Sequence, residues 1–454
     1  MIQLQADFAE NAGRVKPMHG VNNGPVYKFT ADQRITNLEA FREAGIPYAR
    51  THDASFFAAY GGEHTVDILA IFPDFNADVN DPASYDFDLT DEYLKVIDYA
   101  GVKTFYRLGS KIEHWPKKYG TVVPPDFQKW AEICEHIIRH YTEGWNNGFH
   151  YDITYWEIWN EPDIAADDSP VVNKKCWGGT RAQFFELYKT AATHLKKCFP
   201  HLKIGGPALT NCHSKWARYF VGFCRDNDVP LDFFSWHCYH LDPRAVAAEE
   251  DIARNLLDEF GFTECENILN EWNYVKGWLN DQWIYTLRTE KGLKGSSFVA
   301  GTICLSQYKP LDLLMYYDAR PCAMNGLFNT DIVSDKLKGY YPFWMFNKLY
   351  KLGTACPVAC EDESIMACAA ANGEEAALMF TYYEDKDEAP EKEIAVTLKN
   401  AGSGKPMAAT VYLLDATHDG EPTRREIVTG TESTLFLKVP LFTTCLITLA
   451  PQAD

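Results

Sequence analysis

From about residue 15 to residue 350 the chain alternates short apolar runs with longer amphipathic ones, and it does so eight times. Runs with strand character are Met18–Asn22, Ile46–Thr51, Lys103–Leu108, Ile153–Trp159, Lys203–Pro207, Leu231–His237, Asn267–Glu271 and Asp312–Tyr316. Helical patterns lie between and after them. One runs from near Thr30 through Asp32 to Ala44 and stops at Gly45. The others are Thr90–Ala100, Asp126–Tyr141, Arg181–Cys198, Lys215–Asn227, Pro243–Phe260, Asp281–Leu287 onward, and Tyr340–Leu352. Strand followed by helix, repeated eight times in roughly 330 residues, predicts an α/β fold of the (β/α)8 TIM-barrel type over residues 15–352. An open doubly wound sheet also alternates, but no glycine-rich phosphate fingerprint follows any early strand.

After Gly353 the pattern shortens. Ser364–Ala371, Glu375–Tyr383, Glu393–Lys399, Ala408–Leu414, Glu426–Thr429, Thr434–Val439 and Thr443–Leu449 are strand-like, with turn signals at Asn372-Gly373, Gly402-Ser-Gly404 and Asp419-Gly420. Residues 353–454 are therefore expected to form a β-sandwich. Ile2–Phe8 alternates apolar and polar residues, so segment 1–14 is expected to lend that sandwich a strand.

Charge narrows the partners. Asp and Glu number 63 against 43 Lys and Arg, a net charge of −20, which disfavours nucleic acid and anionic membranes. A neutral small molecule is the simplest ligand class. No apolar run approaches the roughly 18–20 residues that span a bilayer, and Met1–Phe8 has neither the basic start nor the apolar stretch of a secretion signal. The 13 cysteines are scattered without CxxC pairs and read as reduced thiols, so a cytoplasmic location is expected. Cys238 beside His237 and His240 offers zinc-ligand types, but without a zinc-binding spacing, and the reading calls for no metal and no cofactor. Self-association into a homo-oligomer is compatible with this composition.

Two carboxylates stand at strand ends. Glu161 follows Ile153–Trp159 and Asn160, and Glu271 ends Asn267-Ile-Leu-Asn; the two are 110 residues apart. In a barrel, functional groups gather at the C-terminal strand ends, so the pair can face one scissile bond. Two such carboxylates are the minimal equipment for cleaving a glycosidic bond, about 5–5.5 Å apart where the anomeric configuration is retained and about 6.5–9.5 Å where it inverts. Glu161 is read as the acid/base and Glu271 as the nucleophile. Pro162 holds Glu161 out of the α region, and Asn160 can bind a sugar hydroxyl. Strand alternation is expected to point Asn267, Leu269 and Glu271 together into the barrel. A charged Glu271 should raise the pKa of Glu161.

Trp156-Glu-Ile-Trp-Asn-Glu-Pro162 resembles the acid/base motif of clan A glycoside hydrolases, and more narrowly of glycoside hydrolase family 39, which contains β-xylosidases and α-L-iduronidases. Arg50-Thr-His-Asp53, Lys203-Ile-Gly-Gly-Pro207, Asp232-Phe-Phe-Ser-Trp-His237, Asn270-Glu-Trp-Asn273, Gly326-Leu-Phe and Tyr340-Tyr-Pro-Phe-Trp344 match in order. The resemblance implies a retaining, exo-acting hydrolase of a carbohydrate substrate, with β-xylosidase the favoured specificity. Arabinosidic, galactosidic and iduronidase specificities are its alternatives, as is a sugar-binding barrel without turnover. It implies that His52 and Asn160 grip the glycone, that His237 lines its subsite, and that Tyr239 bonds Glu271. Arg50 and Glu157 are read as an ion pair in the barrel floor, and Asp53 as a sugar ligand or loop cap. Many relatives end the eighth strand with a tryptophan platform. Here Tyr316 or Tyr317 is expected to replace it, with Arg320 or Asp318 selecting a substituent. Trp115, Trp177 and Trp278 are expected either to stack on sugar or to cover the barrel mouth.

Overall fold

The computed structural model describes residues 1–27, 36–53, 64–164 and 174–452, the side chains of 403 and 404 apart. β1 (Ile2–Asp7) belongs to the C-terminal sandwich. The next eight strands, β2 (Gly20–Asn22), β3 (Tyr48–Thr51), β4 (Lys103–Leu108), β5 (Tyr155–Ile158), β6 (Lys203–Leu209), β7 (Phe233–His240), β8 (Glu266–Tyr274) and β9 (Leu313–Tyr316), close into a barrel in sequence order, every neighbouring pair parallel. Helices cover its outside. Phe127–Glu143 is capped by Asp126, whose side chain accepts from Lys129 N, and Arg181–Cys198 starts on a Thr180–Gln183 capping box. The first helix is shorter than its pattern, Leu38–Ala44, because the Asn37 side chain accepts from Val26 N instead of capping it. Thr30 and Asp32 lie outside the described residues.

The barrel interior is layered. Phe105, Tyr155, Phe233, Ile268, Leu313 and Met315 close its N-terminal end as a small apolar cluster against Tyr48. Two residues further along the strands comes a polar layer. Arg50, fully buried, donates through Nε to Glu157 (2.7 Å), through one terminal nitrogen to Asn22 (3.0 Å) and Glu271 (2.8 Å), and through the other to Asn160 (2.7 Å). Ser235 and Asn270 complete the ring by donating to Glu157.

β8 does not alternate as the sequence suggested. Asn267 and Leu269 face outward: Asn267 bonds the Glu250 and Pro310 carbonyls, and Leu269 joins the core under the helices. Register shifts against β7 and β9 insert an extra residue near Asn270. Asn270 and Glu271 consequently both point inward, the parity change that a β-bulge imposes.

Beyond the barrel come β10 (Thr354–Cys356), β11 (Val358–Cys360), β12 (Ile365–Ala371), β13 (Ala376–Tyr382), β14 (Lys392–Lys399), β15 (Met407–Leu414), β16 (Asp419–Val428), β17 (Glu432–Val439) and β18 (Thr444–Pro451). They form a four-stranded sheet ordered β11-β1-β14-β17 and a six-stranded sheet ordered β10-β12-β13-β18-β15-β16. β1 runs parallel to β14 and antiparallel to β11, and turns Leu4 and Ala6 into the core between the sheets.

Candidate active site

Each of the two candidate carboxylates, Glu161 and Glu271, is aimed by a different distortion of its strand. After β5 the backbone takes positive φ at Trp159 (80°) and again at Glu161 (46°), a conformation most side chains avoid. The first of these turns Trp159 out against Trp177 and Phe184, its indole N–H on the Cys176 carbonyl. Asn160 is thereby delivered inward, its amide oxygen on Arg50. Arginine only donates, so the NH2 of Asn160 is the end left for a ligand. Glu271 is aimed by the bulge of β8.

The two carboxylates share one neighbour. His237 Nδ1 lies 2.8 Å from Glu161 Oε1 and 3.4 Å from Glu271 Oε2. One ligating atom from each of the three residues lies within 4.8 Å of the other two, so both carboxylates face one point, as a pair acting on a single bond must. Tyr239 donates to Glu271 Oε2 at 2.8 Å, while Arg50 donates to Oε1 and His52 Nε2 stands 3.5 Å from that same oxygen. Burial pushes the Glu161 carboxyl up to about 7, against the opposing charges of His52, Arg50 and Lys175. The cause differs from the one expected: removal from water dominates, not the second carboxylate. Burial also lowers His237 to about 4, so its ring is neutral near pH 7.

Around this centre Glu161, Glu271, Asn160, His52, His237 and Tyr239 come together. Asp53 is buried between Arg320 at 3.0 Å and Lys111 at 3.2 Å, with the His52 ring at 3.5 Å, while its backbone N–H donates to Asn23. Asp318 accepts from Asn23 and from the Arg320 backbone N–H. Tyr317 sets its ring edge-on to His52, with centroids 5.5 Å apart.

One expectation is corrected. Tyr316 is not a stacking surface: strand parity turns it outward, 1 % exposed, with its hydroxyl bonded by Asn273 and Gly326. Trp115 is 81 % exposed and so does not cover the barrel mouth. The Arg50–Glu157 ion pair forms as expected, both side chains fully buried, and it lies directly beneath the carboxylates, where Arg50 also bonds Glu271. Trp177 is buried as a cover.

Sequence reasoning passed over Asn22, Lys111, Ser235, Asn270 and Cys176, whose thiol lies 4.0 Å from Glu161 Oε2. For Asn22 and Lys111 the signal was their place at the ends of β2 and β4. For Ser235 it was shared parity with His237 on β7.

Metal-ligating types also converge at Cys212, His213 and Glu249, where Cys212 is buried, and at half-buried Glu135, His194 and Cys198. Cys238 and His237 alternate to opposite faces of β7 and do not join.

A family model described as Glycosyl hydrolases family 39 matches residues 37–269, about half of the chain. The chain belongs to glycosyl hydrolase family 39. A β-xylosidase of Geobacillus stearothermophilus is 32% identical over 124 residues, 26% of this chain and 22% of that protein. One from Caldicellulosiruptor saccharolyticus is 32% identical over 126 residues, 27% and 23% of the two chains. The aligned stretch thus spans under a quarter of these curated relatives. Among solved structures, a glucosidase from Croceicoccus marinus superposes with a TM-score of 0.82 at 21% identity, covering 100% of this chain and 99% of that one. A monomeric β-xylosidase from Caulobacter crescentus superposes at 0.73 with 16% identity and full coverage of both. These likenesses concern the fold. No helix among the described residues is long and apolar enough to cross a membrane.

Proposed function

We propose that this family 39 member is a retaining, exo-acting glycoside hydrolase that acts on β-xylosides and short xylo-oligosaccharides by double displacement. The observation that carries this reading is the convergence of Glu161 and Glu271 on His237, with ligating oxygens within 4.8 Å. Glu161 gives its proton to the glycosidic oxygen as Glu271 attacks the anomeric carbon; the C–O bond to the leaving group breaks and an ester to Glu271 forms. Glu161, now a carboxylate, takes a proton from water, whose oxygen attacks the same carbon and frees Glu271.

Surrounding groups serve these steps. Arg50 and Tyr239 fix one oxygen each of Glu271, so the nucleophile meets the sugar in a set orientation. The NH2 of Asn160 is suited to a hydroxyl next to the anomeric carbon. Buried His52, Asp53 and Lys111, with half-buried Tyr317, close the glycone end, which suits release of one terminal residue. Lys111 and Arg320 are already paired with Asp53, so among the described residues these two cations are committed to a carboxylate of the chain itself, which favours a neutral sugar over an anionic one. The two β-xylosidase relatives point the same way.

Replacing Glu271 tests the reading. Glu271→Ala should lower kcat on 4-nitrophenyl β-xyloside by at least about 10⁴-fold. Added azide should restore turnover and give a glycosyl azide of inverted configuration, read by NMR. Comparable activity without any added nucleophile would remove Glu271 from the role. A panel of aryl xylosides, arabinosides, galactosides and iduronides assigns the sugar.

A further inference from the structure

The four groups touching Glu271 divide between its two oxygens. Arg50 and His52 meet Oε1, whereas Tyr239 and His237 meet Oε2, and His237 leads on to Glu161. The Oε2 side is therefore the side on which the proton is delivered and the leaving group departs. One ring further out on that side stands Trp278, in the loop after β8. It is edge-on to Tyr239, with centroids 5.1 Å apart at 79°, and it stacks on Trp283 at 5.5 Å and 24°. Trp283 and Tyr239 brace the indole, yet 54 % of the residue remains exposed. A braced aromatic face open to solvent beside a reactive centre suits a flat, weakly polar ring.

We infer that Trp278, held by Trp283, is the platform for the leaving group, and that it takes a neutral pyranose ring whose C–H face lies on the indole. This rests on the roles given above to Glu161 and Glu271. It assigns to the chain a preference for disaccharides and short oligosaccharides over glycosides of small alcohols, because only a ring-shaped leaving group reaches the indole.

The test compares xylobiose with methyl β-xyloside, which share glycone and bond and differ in the presence of a leaving-group ring. In Trp278→Ala the ratio of kcat/KM for xylobiose to that for methyl xyloside should fall about tenfold, mostly through KM, and in Trp278→Phe it should recover to within about threefold of the parent. If the parent prefers another sugar, the same pair is built on that glycone. An unchanged ratio in Trp278→Ala overturns the platform and leaves the double-displacement reading standing. Absence of any glycoside turnover by the parent enzyme overturns both.

Discussion

In the proposed mechanism Glu161 has to hold a proton at one step and lack it at the next, so its surroundings must keep it near the point of change. Burial supplies the upward push, to about 7, and the positive charges of His52, Arg50 and Lys175 limit it. Protonated Glu161 is the form that acts first, so kcat/KM for a substrate with a poor leaving group should fall as pH rises through about 7. A dinitrophenyl glycoside, which departs without a proton, should show a much weaker alkaline limb. Lys175 lies on the exposed edge of this balance. Its charge favours the carboxylate, so Lys175→Ala should move the alkaline limb to higher pH by a few tenths of a unit, with little change at pH 5–6. Profiles of kcat/KM for an alkyl and a dinitrophenyl xyloside check both statements. Identical alkaline limbs for the two substrates would assign that limb to another group.

At the scale of elements, helix Pro243–Glu259 carries Glu250 into the space beneath helix Leu293–Ser306. There Ser306 donates to Oε1, and Oε2 has no hydrogen-bond partner. Burial raises this carboxyl to about 8, with Lys16 and Lys309 opposing and Asp251 reinforcing the rise. The sign follows from proton counting. An unfolded glutamate loses its proton near pH 4.3, whereas the folded one keeps it to about 8. Between those values the folded state binds more protons, and stability falls as pH rises. Glu250→Gln keeps the acceptor, offers a donor at the orphan oxygen and cannot ionise. It should leave stability near the parent's at pH 4 and exceed it by an amount of order a few kcal/mol at pH 8–9. Urea melts of both proteins at the two pH values measure this, and a constant difference would discard it. Elements of this size were legible in the sequence. β4 and helix Arg181–Cys198 match their patterns residue for residue, and the other barrel strands shift by no more than three residues at an end. β10 and β11 were not legible, because three residues each around Pro357 give no period to read. In the site, the motif around Asn160 and Glu161 supplies side chains that do come together with Glu271 around His237 and Arg50. The bulge at Asn270 left no mark in the pattern, so the inward turn of Glu271 was expected for the wrong reason. Tyr316 failed for a related cause: a strand end fixes which residues are near the mouth, and only parity decides which of them look in.

In the whole molecule the barrel and the sandwich share a core. Helix Leu293–Ser306 is the joint: every residue but Leu293 and Leu305 is buried, because the barrel covers one side and β12 and β13 the other. Ser297 bonds the Thr381 hydroxyl and the Tyr382 carbonyl across the joint, and Lys294 pairs with Asp385 at 2.8 Å. The chain's own beginning ties the sandwich further, since β1 lies between β11 and β14 and its loss would strip both of hydrogen bonds. Two domains locked in this way should unfold as one. Gly301 sits at a tight point between the domains, where an added Cβ would meet Met366 Sδ at 2.6 Å and Pro243 Cγ at 3.1 Å. Met366 belongs to the sandwich and Pro243 opens a barrel helix, so a side chain there presses on both domains at once. Gly301→Val should therefore cost about 1–3 kcal/mol. It should shift a single calorimetric transition to lower temperature without splitting it, and activity at 25 °C should persist because the substitution is remote from Glu161 and Glu271. Two separated transitions in the parent, or a variant in which only the sandwich melts early, would show that the joint does not couple the domains.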